Sequence, residues 1–171
     1  SQNRPRGDVY LVGTVWEEFN LRGAMIAART IHPDLAISLD VVLAGDTNDL
    51  AAKYDDKMGG GACVSLYSFH GRGTLNGTLP NEKLFRLAKE CAKEEKMALQ
   101  RFASIGILTD SAYIQLEEEG VPVLEMGFPA RYTHTPVEVC DPGDISALAH
   151  LCSAMMRKID RTFDLSRFSI E

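Results

Sequence analysis

Four short runs of almost unbroken β-branched and apolar residues constrain this chain more than any other feature: Asp8–Trp16 (DVYLVGTVW), Leu35–Ala44 (LAISLDVVLA), Ala62–Ser68 (ACVSLYS) and Val121–Phe128 (VPVLEMGF). A strand with one wet face alternates apolar and polar residues; near-continuous apolarity demands cover on both faces, as in a parallel sheet held between helices. The intervening segments supply those helices. Ala24–Ile31 reads as a short helix that must stop before Pro33, because proline disfavours helical geometry in its predecessor and lacks an amide proton. Strand, helix and strand over Asp8–Ala44 then form a βαβ unit with a right-handed crossover. Pro80–Met97 is amphipathic, with Leu84, Leu87, Ala88 and Cys91 on one stripe and Lys89, Lys93, Glu94 and Lys96 on a solvated face. Thr109–Ala112 (TDSA) has the character of a helix start and Gly120 that of its C-cap. Asp141–Pro142 opens a last helix, in which Ile145, Leu148, Cys152, Met155, Ile159 and Phe163 keep a 3.6-residue period. Gly71–Gly77 reads as a glycine-dotted loop, and Ile105–Leu108 is too short to assign alone. The expected class is α/β, a single domain over residues 1–171 with a largely parallel sheet flanked by helices.

Composition narrows the function. The chain has 171 residues, 18 Lys+Arg against 24 Asp+Glu, a net charge of −6 and 45% apolar residues. That length buries roughly two thirds of the unfolded surface, enough for a core without staples. Cys63, Cys91, Cys140 and Cys152 include no C-x-x-C pair, which argues against a disulfide scaffold or a cysteine-only zinc site and for reduced thiols in a cytoplasm. An acidic chain without a Lys/Arg-rich run is a poor partner for nucleic acid or an anionic membrane. No stretch of 18 apolar residues spans a bilayer, and no apolar segment of signal-peptide type follows the first arginines.

Chemistry in an open α/β sheet is sought beyond the carboxyl ends of the strands. The first apolar run ends directly in Glu17–Glu18. Two adjacent carboxylates there form either a solvated loop or a site that needs a cation between them. Asp40 lies inside LAISLDVVL, where a charge is expensive without a partner. Asp46 and Asp49 read as turn acids. Among the histidines, His32 caps a helix end before Pro33 and His150 sits on the surface of the last helix. His70 lies in FHGRG at the edge of the glycine-rich loop, and GFPARYTHTP presents Arg131, Tyr132 and His134 on a proline-bounded loop after a buried strand. No local metal motif such as H-E-x-x-H is present.

Taken together, GTVWEEFNLRGA (Gly13–Ala24), AISLD (Ala36–Asp40), TDSA (Thr109–Ala112) and RYTHTP (Arg131–Pro136) resemble, in order and spacing, the tetrahedral (TET-type) metallo-aminopeptidases. That group includes glutamyl aminopeptidases and the endoglucanase M and FrvX-like proteins. The resemblance runs from about Asp8 to Ile159 and implies the three-layer zinc-peptidase (phosphorylase/hydrolase-like) catalytic domain. It implies Glu17 as general base and Glu18, Asp40 and His134 as metal ligands, with two divalent ions, zinc or cobalt, activating a water against peptide substrates. His70, Arg72, Asp110 and Arg131 are candidates for the substrate side. Trp16 stands where the family has Gln, and IGILTD (Ile105–Asp110) replaces a tighter glycine cluster, so the substrate side of the pocket is expected to differ. A further histidine ligand and a metal-bridging aspartate are expected before Ser1, so the chain corresponds to the C-terminal part of a catalytic domain without the inserted dimerisation domain. The expected function is metal-dependent removal of N-terminal residues by a cytoplasmic homo-oligomer, in the family a large tetrahedral assembly. Two alternatives stand beside it: a catalytically incomplete α/β assembly module, and glycoside hydrolysis, which would need two flanking carboxyl groups and no metal.

Overall fold

The computed structural model describes residues 4–71 and 76–167. In chain order the elements are α1 (Arg22–Ile31), β1 (Ala36–Leu43), β2 (Ala62–Phe69), β3 (Gly77–Thr78), α2 (Glu82–Glu94), β4 (Leu99–Ile105), α3 (Ser111–Ile114), β5 (Val123–Arg131), β6 (Val139–Cys140) and α4 (Pro142–Lys158). The sheet runs β1-β5-β2-β3, with β4 on β2 and β6 on β5. Its two long ladders, β1 with β5 and β2 with β4, are parallel, whereas the short β2–β5, β2–β3 and β5–β6 pairings are antiparallel. The sheet is therefore mixed, built from two parallel pairs joined back to back, inside the expected α/β class.

Side-chain alternation assigns the two faces. Ala62, Val64, Leu124 and Met126 point to one face and pack with Leu84, Leu87, Ala88 and Cys91 of α2 and Leu148, Leu151, Ala154 and Met155 of α4. Ser38 of β1 and Glu125 of β5 point to the other, beneath α3 and the residues that lead into it. The caps are local. Asn81 accepts from the amides of Lys83 and Leu84 at the start of α2, and Asp141 accepts from Gly143 at the start of α4, where Pro142 follows it. His32 closes α1 in a left-handed conformation, with its amide donating to Ala28 O, and His150 meets Glu95 on the surface.

Several expectations change. Asp8–Trp16 is not a buried strand: Val9, Tyr10, Val12 and Val15 are exposed and Leu11 is 90% exposed, so the segment runs over the surface and the predicted first βαβ unit does not form. The apolar composition is that of a strand, but among the described residues no strand pairs with it. α2 ends at Glu94, and the chain turns at once into β4, a strand hidden from the sequence reading by its polar Gln100 and Arg101. The helix after Thr109 is a single turn, and Gly120, at φ 98°, closes a tight turn onto Glu117 O instead of capping that helix. Ile145 lies 42% exposed off the buried stripe of α4, where Leu151 and Ala154 sit instead. Gly77, the last residue of the predicted loop, pairs with β2 together with Thr78, and Arg72 falls outside the described residues. No helix among the described residues is long and apolar enough to cross a membrane.

Candidate functional site

The segment Trp16–Leu21 makes the link between the exposed leader and α1. Its backbone is unusual: Trp16, Asn20 and Leu21 all adopt left-handed φ values of 56°, 72° and 56°. Non-glycine residues in that region are uncommon and cluster where the surroundings over-determine the chain. The segment folds back on itself, the Leu21 amide donating to Glu17 O at 2.8 Å and the Gly23 amide to Val15 O at 2.9 Å. Gly23 is required there, because a Cβ would stand 2.3 Å from Val15 O. Beyond the carboxyl end of β5, Tyr132 and His134 are likewise left-handed, at φ 60° and 61°.

These two strained loops converge. His134 Nε2 lies 3.0 Å from Glu18 Oε1 across 116 positions of sequence, both side chains open to solvent. Glu17, beside them, is pushed up to about 7 from the ordinary glutamate value of 4.5, first by burial and then by the charges of Asp40, Glu18 and Asp110, with His134 opposing. Asp40 is raised too, by burial above all, while its Oδ1 accepts from the Val41 amide at 2.7 Å. It is carried by β1 opposite Gly127 of β5, where a Cβ would meet Asp40 O at 2.3 Å, so only glycine lets the two strands close here. Asp110 joins the group from the loop before α3. It is not a helix cap: its Oδ2 accepts from Thr14 Oγ1 at 2.8 Å, its Oδ1 is buried without a partner, and burial raises its pKa.

The structure thus brings Glu17, Glu18, Asp40, Asp110 and His134 into one neighbourhood. Within it Glu18 and His134 touch, whereas Asp40 feels the charge of Glu18 and bonds its own strand through the Val41 amide. Among the described residues no three His, Cys, Asp or Glu side chains form a ready coordination sphere. Arg131 is engaged elsewhere, its Nε and guanidinium nitrogen donating to both oxygens of Asp46 at 2.8 and 2.7 Å, so Asp46 is more than a turn acid. His70 is exposed just past β2, its amide donating to Asn76 O. The sequence reading passed over Glu125, an acid buried in the middle of β5. The signal was present as a lone carboxylate within VLEMGF.

Known proteins share the sequence pattern and the fold of this chain. The profile of the M42 glutamyl aminopeptidase family matches residues 1–151. A putative aminopeptidase, SgcX, from Escherichia coli K12 is 37% identical over 147 residues, covering 86% of this chain and 39% of that protein. An aminopeptidase structure from the archaeon Desulfurococcus kamchatkensis superposes with a TM-score of 0.82 at 32% identity, covering 88% of this chain and 41% of that one. A TET aminopeptidase from the marine sediment archaeon Thaumarchaeota SCGC AB-539-E09 gives 0.78 at 29% identity, covering 87% and 40%. The chain spans about 40% of the length of these relatives. With that family's profile covering residues 1–151, the chain belongs to the M42 glutamyl aminopeptidase family.

Proposed function

We propose that this chain carries the general base and part of the divalent-metal ligand set of an aminopeptidase that removes N-terminal residues from peptides. The observation that carries the proposal is the meeting of Glu18 and His134 at 3.0 Å beside Glu17, which burial first and the charges of Asp40, Glu18 and Asp110 second push up to about 7. Carboxylates forced together with an imidazole are the donor set that suits zinc or cobalt, and a cation in their midst would relieve the repulsion. Glu18 and His134 would hold one ion and Asp40 would contribute to a second. The remaining ligands are proposed to come from the part of the family's length that this chain does not span. When bound, two such ions polarise a scissile carbonyl and acidify a water. Glu17 would accept a proton at its carboxylate and return it to the leaving amine. A homo-oligomer is proposed on the likeness to TET aminopeptidases, and a cytoplasmic location on the four scattered free cysteines.

A second reading, a non-catalytic assembly module, is favoured by the exposed apolar segment Val9–Trp16 and the open outer edge of β1. Metal binding and hydrolysis separate the two. Aminoacyl p-nitroanilides should be cleaved in a reaction abolished by chelator. Glu17→Gln should lower kcat by about a hundredfold or more with bound metal retained, and His134→Ala should weaken zinc binding at least about tenfold. Chelator-sensitive hydrolysis that survives Glu17→Gln overturns the role of Glu17, and the absence of tight zinc binding favours the module.

A further inference from the structure

Glu125 sits in the middle of β5 at 1% exposure, with no basic side chain bonded to it among the described residues. A buried carboxylate without an ion-pair partner is a costly placement, tolerated where hydrogen bonds compensate. Here a single oxygen, Oε1, accepts three hydroxyls from three parts of the chain: Thr109 Oγ1 at 2.5 Å, Thr78 Oγ1 at 2.7 Å and Ser68 Oγ at 3.2 Å. Thr109 is also 3.4 Å from the Ser38 hydroxyl, which in turn lies 2.6 Å from that of Ser111. Thr109 and Ser111 are therefore pinned to the sheet from below, and Asp110 between them is turned upward. From above, the same stretch grips the segment that bears the two glutamates. Asp110 Oδ2 takes the hydroxyl of Thr14, and Tyr113 OH donates to Asn20 Oδ1 at 3.1 Å. Thr14 and Asn20 bracket Glu17–Glu18 on either side.

We infer that Glu125 is a positioning residue. Through Thr109 it fixes Asp110, and through Asp110 and Tyr113 it sets the register of the Thr14–Asn20 segment that presents Glu17 and Glu18. The catalytic consequence rests on the proposed function; the mechanical one does not. The distinguishing comparison uses two threonines that donate to the same oxygen, only one of which adjoins Asp110. In the 171-residue chain, Thr109→Val should speed amide hydrogen exchange at Leu21 and Gly23, whose acceptors are Glu17 O and Val15 O, by about tenfold or more. Thr109→Ser should restore exchange to within about threefold of the parent, and Thr78→Val should leave it within about threefold. Glu125→Gln, which keeps an acceptor oxygen, should resemble the parent. Glu125→Leu should resemble Thr109→Val, and combining those two should add nothing further. Protection at Leu124 and Met126 reports that the core is intact in each variant. Equal acceleration by Thr109→Val and Thr78→Val, or none by either, overturns the inference. In turnover assays Thr109→Val should lower kcat about tenfold with KM within about threefold. If exchange responds as stated while the parent chain and a longer family chain show no chelator-sensitive hydrolysis, the proposed function fails and the positioning role stands.

Discussion

Asp56 shows how burial turns a carboxyl group into a pH-dependent liability. It is 2% exposed, and its Oδ2 has no hydrogen-bond partner. Burial pushes it up to about 6 from the ordinary aspartate value of 3.8, with Asp46 and Asp55 adding to the shift. The folded chain therefore keeps a proton that the unfolded chain has already released across that interval. Folding stability falls as pH rises from about 4 to about 6 and stays reduced above it, by roughly 2–3 kcal/mol at 1.36 kcal/mol per pH unit. Asp56→Asn should remove this slope and raise stability at pH 7 by a similar amount. Urea unfolding at pH 4, 5, 6 and 7 checks it, and parallel profiles for the two proteins would refute it. Glu17 is raised for a related reason, but its neighbours are the acids of the site, so a cation near Glu18 would lower it.

At the level of elements, the start of α4 does two jobs with two aspartates. Asp141 caps the helix through the Gly143 amide at 2.7 Å, an exposed contact worth about 1 kcal/mol. Asp144, one turn on and 2% exposed, reaches out to the amides of Gly59 and Gly61 at 2.7 Å each and fastens the entry to β2 onto α4. Removing it leaves two donors at a part-buried junction without their acceptor. Asp144→Ala should cost about 2–4 kcal/mol against about 1 kcal/mol for Asp141→Ala, measured as a difference in denaturation midpoint at constant m-value. Similar losses for the two variants would show that the Gly59–Gly61 turn holds itself. The Arg29 fork onto Glu117, Nε to Oε2 at 2.6 Å and NH2 to Oε1 at 3.1 Å, plays a comparable part between α1 and the turn after α3.

Across the whole molecule the leading feature is an imbalance: one face of the sheet is well covered by α2 and α4, while Val9, Tyr10, Leu11, Val12, Val15, Trp16 and Phe19 lie open in one continuous stretch. Contiguous apolar surface drives association. The chain should bind an apolar fluorescent dye and sediment as concentration-dependent oligomers. The double substitution Val9→Asp/Leu11→Asp should suppress both effects without altering the unfolding midpoint, and a dye-silent monomeric parent would refute the expectation. The same segment marks the boundary of what sequence reading achieves. Local rules sufficed for α1, β1, β2, β5, the Asp141–Pro142 start of α4 and the α2 core stripe, because periodicity, caps and prolines act within a few residues. The family motifs likewise singled out Glu17, Glu18, Asp40 and His134 from the chain alone. Only the tertiary structure decided that no strand among the described residues pairs with Asp8–Trp16, that Arg131 is taken by Asp46, that Asp110 serves Thr14 and not its own helix, and that Glu125 gathers three hydroxyls. Each of these is a contact between residues 85 or more apart, or, for Glu125, between separate strands and loops, or is set by which strands are present to pair. Composition records what a segment is suited to, but partners so distant along the chain are chosen by the packing of the sheet.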